Sequence, residues 1–201
     1  MKKTLQPKSL KLKSYLFLMR IFLAIFFIST SVYAGKFDLL TGPFSLKAKV
    51  NDQEGGVSTV GAYNITYMLD LLPSLQLGAG YTVLMSNTFG GDLAFGIDAG
   101  LYYFPLTPSG QVDAKSINAL LNIKPLWRPF VGGSFHQRQA QSTESSYAGF
   151  GVSLGVERAL DYFFDLKLNL RHVLLSGPNG STATETTFFI GASMPFQLGG
   201  K

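Results

Sequence analysis

Between residues 147 and 173 the chain alternates apolar with polar or small side chains through two runs of about ten residues each. In the first run Ala148, Phe150, Val152, Leu154 and Val156 share one face, and Gly149, Gly151, Ser153, Gly155 and Glu157 share the other. After a short break the alternation resumes. Tyr162, Phe164, Leu166, Leu168 and Leu170 then stand opposite Phe163, Asp165, Lys167, Asn169 and Arg171. Side chains alternate faces along a strand, so each run predicts a β-strand with one greasy and one polar side. A greasy face of this length, with aromatics near its ends, suits a strand that crosses a membrane.

The same unit recurs along the chain. Strands are predicted at 43–51, 57–69, 75–85, 92–104, 127–137 and 185–198, which with the two above makes eight. In the first, Phe44, Leu46, Ala48 and Val50 are expected outside, with Ser45, Lys47, Lys49 and Asn51 inside. In the second, the odd-numbered residues from Val57 to Leu69 share one face. Residues 35–41 read as a lead-in. Turn-rich breaks fall at 52–56, 70–74, 86–91, 139–146 and 174–184. Residues 105–126 are the least regular stretch, where Ile117, Leu120 and Leu121 fit either one amphipathic helical turn or a short strand.

Residues 1–34 stand apart from this pattern. Lys2, Lys3, Lys8, Lys11, Lys13 and Arg20 precede the apolar run IFLAIFFI, and Val32-Tyr33-Ala34 offers a small-residue cleavage site. That order predicts a cleaved secretory signal, with the mature domain at 35–201. The apolar run is too short to cross roughly 30 Å of hydrocarbon as a helix. The segment also changes the meaning of charge. The chain has 17 Lys+Arg and 12 Asp+Glu, but six of the basic residues lie in the signal, leaving 11 against 12. The basic balance therefore gives no reason to expect nucleic acid as a partner. With no cysteine there is neither a disulfide framework nor a thiolate metal site.

Eight strands in sequence form an up-and-down meander, and closing it removes both edges. Glycines and charges share one face in several strands, and the inside of a small barrel needs small or paired polar groups. The expected fold is thus all-β: an eight-stranded antiparallel transmembrane barrel, grease outside and polar groups inside. A soluble lipocalin-like barrel would invert those faces. The runs RPFVGGSF (128–135), GFGVSLGVER (149–158) and FFDLKLNLRH (163–172) resemble the small eight-stranded outer-membrane barrels, the superfamily of the OmpA membrane domain, OmpX and OmpW. The resemblance implies an outer-membrane location, contact with outer-membrane lipid, and insertion by the barrel-assembly machinery. Such barrels often end on an aromatic residue, whereas Phe196 here is followed by QLGGK.

The candidate interior network is Lys47, Lys49, Asp98, Arg128, Glu157, Asp165, Lys167, Arg171 and Glu185, of mixed sign. Inside eight strands there is room only for side chains, so these residues predict a plug of ion pairs. Tyr63, Tyr67, Tyr81, Tyr103, Trp127 and Tyr162 are candidate interfacial aromatics. His136 is expected to bond within the core near Arg138, and two isolated histidines make no metal site. Lipid A deacylases resemble this architecture and use a His and a Ser two positions apart. Here His172 and Ser176 are four apart, roughly 13 Å along a strand. No catalytic residue, cofactor or metal is expected. The function expected is a structural or interaction role in the cell envelope for a monomer, with 105–126 free to meet a periplasmic partner. A conduit for small hydrophobic molecules, as the resemblance to OmpW implies, is the alternative, and a lipid A-modifying hydrolase is a third reading that the spacing of His172 and Ser176 disfavours.

Overall fold

The computed structural model describes residues 35–50, 53–86, 93–106, 111–114, 119–122, 127–140, 145–160 and 164–196, without the side chains of 60, 93, 111–114, 119–122, 195 and 196. The segment expected to be a secretory signal, Tyr162 and the QLGGK tail lie outside the described residues. The strands are β1 (Gly35–Val50), β2 (Gln53–Leu72), β3 (Leu75–Met85), β4 (Leu93–Tyr103), β5 (Gln111–Ala114), β6 (Ala119–Asn122), β7 (Trp127–Ala140), β8 (Ser146–Ala159), β9 (Asp165–Ser176) and β10 (Thr182–Phe196). Eight of them close into an antiparallel barrel in the order β1-β10-β9-β8-β7-β4-β3-β2. Among the described residues β5 and β6 pair only with each other, antiparallel, so Leu120 and Leu121 take the strand alternative, while Ile117 lies outside the described residues.

The register fixes the tilt. From Thr41 it runs one way through Ile190, Leu168 and Val156 to Pro129, and the other way through Tyr63, Val83 and Phe95 to Gln139. The two ends meet on β7 ten residues apart, and a stagger of this kind is what tilts strands by roughly 40° in a closed barrel. Apolar residues face outward all round the wall, among them Tyr81, Ile97, Leu101, Val131, Val152, Leu154, Leu170 and Ile190. Phe150 is 73% exposed and packs edge-on against Phe135 across the strand pair, with centroids 5.6 Å apart. Nine residues from Trp127 to Phe135, at about 3.3 Å each and tilted by roughly 40°, span roughly 23 Å, close to the height of a membrane barrel's apolar band.

The first strand corrects the expectation in two ways. Residues 35–41 belong to β1, with Lys36, Asp38 and Leu40 buried and Phe37 and Leu39 exposed. Phe44 is buried inside the barrel, Leu46 and Ala48 pack inward, and Lys47 and Lys49 point outward. The reason is a change of surroundings along the strand. Beyond the apolar band the outside is polar, while the interior there is a dry cluster of Leu40, Phe44, Ala62, Leu84 and Phe189. A neighbouring cluster of Val173, Leu175 and Ala183 completes it. Grease therefore turns inward and lysine outward. β2 makes the same switch with a bulge, where Val60 and Gly61 together oppose Pro43. Below the bulge Tyr63 and Ile65 face out, and above it Val57 packs against the inner cluster.

Several inward glycines let adjacent strands approach. A Cβ on Gly96 would lie 1.6 Å from the Gln137 carbonyl oxygen, whereas outward Gly133 has nothing within 4 Å. Gly96→Ala is expected to cost about 1–3 kcal/mol through overpacking, and Gly133→Ala close to nothing. Urea unfolding of both variants in lipid vesicles checks this, and equal costs would contradict it.

Candidate functional site

The interior holds ten buried charged side chains among the described residues. Five are cations (Lys36, Arg128, Arg138, Lys167 and Arg171) and five are anions (Asp38, Asp98, Glu157, Asp165 and Glu185). They form two tiers. The tier nearer Gly35 and Phe196 centres on Glu157, whose Oε1 lies 2.5 Å from Lys36 Nζ and 3.2 Å from Lys167 Nζ, with Arg128 Nη1 3.9 Å from Oε2. Lys167 Nζ also donates to Asp38 Oδ2 at 2.6 Å, and Ser193 Oγ donates to Asp38 Oδ1 at 2.6 Å. Asp165 is buried in the same inward row of β9.

Aromatic rings pack against these cations. Lys36 and Arg128 stand 5.1 and 4.5 Å from the Phe104 centroid, and Lys167 stands 4.7 Å from Phe130. A ring face carries negative potential, so it partly replaces lost water. Glycines make the room: a Cβ on Gly155 would lie 2.3 Å from the Phe130 ring.

The second tier centres on Asp98 and Glu185. Arg138 bridges them, with Nη1 2.6 Å from Asp98 Oδ1 and Nε 2.9 Å from Glu185 Oε2. Arg171 bridges them again, with Nη2 2.7 Å from Glu185 Oε1 and Nη1 3.3 Å from Asp98 Oδ2. Asn64 Nδ2 and the Thr82 hydroxyl also donate to Asp98 Oδ2. These donors come from β2, β3, β7 and β9, so one carboxylate ties opposite walls of the barrel together.

Asp98 also orders a Ser-His-Asp string. Its Oδ1 lies 2.6 Å from His136 Nδ1, and His136 Nε2 lies 2.7 Å from Ser134 Oγ. The acceptor at Nδ1 assigns the proton there, leaving Nε2 to accept from the serine. The spacing matches a nucleophile, its base and an orienting acid. The His136 ring, however, is fully buried, and both oxygens of Asp98 are held by arginines. Built this way, the string cross-links β4 and β7.

Of the predicted interior residues, Asp98, Arg128, Glu157, Asp165, Lys167, Arg171 and Glu185 lie inside; Lys47 and Lys49 do not. Lys36 and Asp38 were missed because the lead-in was not read as strand, although its alternation KFDLL was available. Arg138 was missed as a pairing centre because the predicted strand stopped at Gln137. Among the expected interfacial aromatics, Tyr67, Tyr103 and Trp127 face outward on the side of Gly35 and Phe196. Tyr67 packs tilted against Phe37, with centroids 5.3 Å apart, and Trp127 carries the Arg158 guanidinium 4.9 Å from its centroid. Tyr63 and Tyr81 face outward within the band itself: Val83 is the register partner of Tyr63, and Met85 lies further along the same face. On the outer face His172 Nδ1 is 2.8 Å from Thr186 Oγ1, and Ser176 lies four residues further along.

A closed eight-stranded barrel with an apolar outer band and a paired polar interior is the architecture of the small outer-membrane β-barrel proteins. No protein-family model and no curated protein sequence matches the chain. Among solved structures it is similar to Neisserial surface protein A, with TM-score 0.53 and 15% identity over 82% of this chain and 97% of that one. It also matches the outer membrane protein OprG from Pseudomonas aeruginosa (TM-score 0.43, 10% identity, 84% and 99% covered). A third match is Ail, the attachment invasion locus protein of Yersinia pestis (TM-score 0.40, 9% identity, 80% and 99% covered). At such identities the likeness is one of fold.

Removing one partner from a buried charge cluster strands the others, at a cost of roughly 3–5 kcal/mol. Glu157→Gln, which leaves Lys36, Arg128 and Lys167 together, is expected to lose about that much stability. Adding Lys36→Met should recover part of it. Equilibrium unfolding in vesicles of the single and double variants measures both, and a neutral Glu157→Gln would contradict the assignment of Glu157 as the tier's counterion.

Proposed function

We propose that the protein is a plugged, non-conducting integral barrel of the outer membrane that serves the envelope through its outer wall and its ends and carries out no catalysis. The observation that supports this most is the interior charge balance, five cations against five anions, tied across the barrel and bounded by packed side chains. A pore for ions of one sign would favour a lining of that sign, left open to water. Here the arginines are engaged by carboxylates, and Phe104, Phe130 and Phe189 are fully buried. The antiparallel pair of β5 and β6 lies on the connection expected to face the periplasm, which suits it to meet a soluble partner there.

One observation favours a second reading, a conduit for small hydrophobic molecules. The interior beyond Asp98 is apolar, built from Leu40, Phe44, Ala62, Leu84 and Phe189. Those side chains are at most 6% exposed and fill the space they line, which supports a seal over a passage.

Conductance separates the readings from a pore. In planar bilayers the purified protein is expected to give no stable current steps, and Arg138→Ala with Glu185→Ala is expected to give intermittent ones. Steady steps from the unaltered protein would overturn the plug.

A further inference from the structure

Among the described residues the outer wall carries a polar patch on β1, β10 and β9 at the end away from Gly35 and Phe196. Cross-strand register arranges it in rows. The lowest row, Phe188 beside Leu170, is still apolar. Next come Ser45, Thr186 and His172, then Lys47, Thr184 and Leu174, then Lys49, Thr182 and Ser176. Lys47, Lys49, His172, Leu174, Ser176 and Thr182 are exposed, and Ser45, Thr184 and Thr186 are half-buried. Successive rows are about 7 Å apart along the strand, so the patch climbs from the rim of the apolar band to well beyond it.

The chemistry of the rows is graded. At the rim His172 and Thr186 bond to each other at 2.8 Å on a surface otherwise made of Phe188, Leu170 and Phe150. One row further, Lys47 has Thr184 and Gly56 as register partners, and Glu54 stands diagonal to it. Lys49 follows, opposite Glu54 on one side and Thr182 on the other. Apolar side chains, then hydroxyls and an imidazole, then an ammonium is the order in which a membrane lipid presents acyl chains, ester or amide groups, and phosphate.

We propose that this strip is a binding site for an anionic, phosphate-bearing lipid of the membrane itself. The Lys47 ammonium meets the phosphate. Thr184, Thr186 and His172 donate hydrogen bonds to the groups that join head to chain. Leu170, Leu174 and Phe188 contact the acyl chains. The two lysines are outside the barrel because the pattern inverts past the apolar band, and this places their charge where lipid headgroups lie.

Native mass spectrometry of the detergent-solubilised barrel, offered equal phosphatidylglycerol and phosphatidylcholine, tests the site. Phosphatidylglycerol adducts are expected to exceed phosphatidylcholine adducts about tenfold. Lys47→Gln should cut that preference severalfold and Lys47→Arg should keep it, whereas Thr184→Val, which removes a donor to groups the two lipids share, should lower the adducts of both severalfold. Each variant must still run as a compact band before boiling, which holds folding constant; Thr184→Val, which changes no charge, serves if Lys47→Gln misfolds. Millimolar inorganic phosphate should leave the adducts in place. Equal adducts of both lipids, unchanged preference in Lys47→Gln, unchanged adducts in Thr184→Val, or displacement by free phosphate would overturn the proposal.

Discussion

Everything in this barrel depends on one electrostatic requirement: a charge inside a sealed wall must find its counterion inside the same wall. An ion moved out of water loses several kcal/mol even after the protein relaxes, and only close, well-oriented partners return it. The barrel meets this with carboxylates that each face more than one cation. Glu157 takes Lys36, Lys167 and Arg128, and Asp98 takes Arg138 and Arg171. The pairs join strands distant in the barrel order, so the network also specifies closure. β1 reaches β8 through Lys36 and Glu157, and β4 reaches β9 through Asp98 and Arg171. Register supplies the heights, and glycines such as Gly151 and Gly155 supply the space for His136 and Phe130.

The second organising constraint is that the wall faces two surroundings. Across the apolar band the rule is grease outward and charge inward. Past the band, on the tall side made by β8, β9, β10, β1 and β2, the rule reverses. There Phe44, Leu46 and Val57 turn in and Lys47, Lys49 and Thr182 turn out. β2 reverses by a bulge at Val60 and Gly61, while β1 reverses by sequence alone. The reversal gives the barrel a dry cap over its charged middle.

Much of this was legible in the sequence, because alternation is a local signal. The strands around Leu75–Met85, Leu93–Tyr103 and Asp165–Ser176, and the faces of Asp98, Glu157, Lys167 and Arg171, follow from period two alone. What period two lacks is phase. The run FSLKAKV alternates equally well with either face inward, and only the height of the strand against the band decides. Partner identity was also out of reach. That Lys36 meets Glu157, 121 residues away, depends on the stagger around the whole barrel. The Ser134–His136–Asp98 string was half visible, as two residues on one face of a strand. The acid that completes it comes from another strand.

The most direct measurement of the account is a double-mutant cycle on Arg138 and Glu185, using Arg138→Met, Glu185→Leu and their combination, with unfolding followed in lipid vesicles. If the interior is a set of mutual counterions, each single change strands its partner and the pair restores much of the loss. The coupling should then exceed about 1 kcal/mol. Losses that add within about 0.5 kcal/mol would mean the two charges are solvated independently, and the closed, ion-paired interior would be wrong.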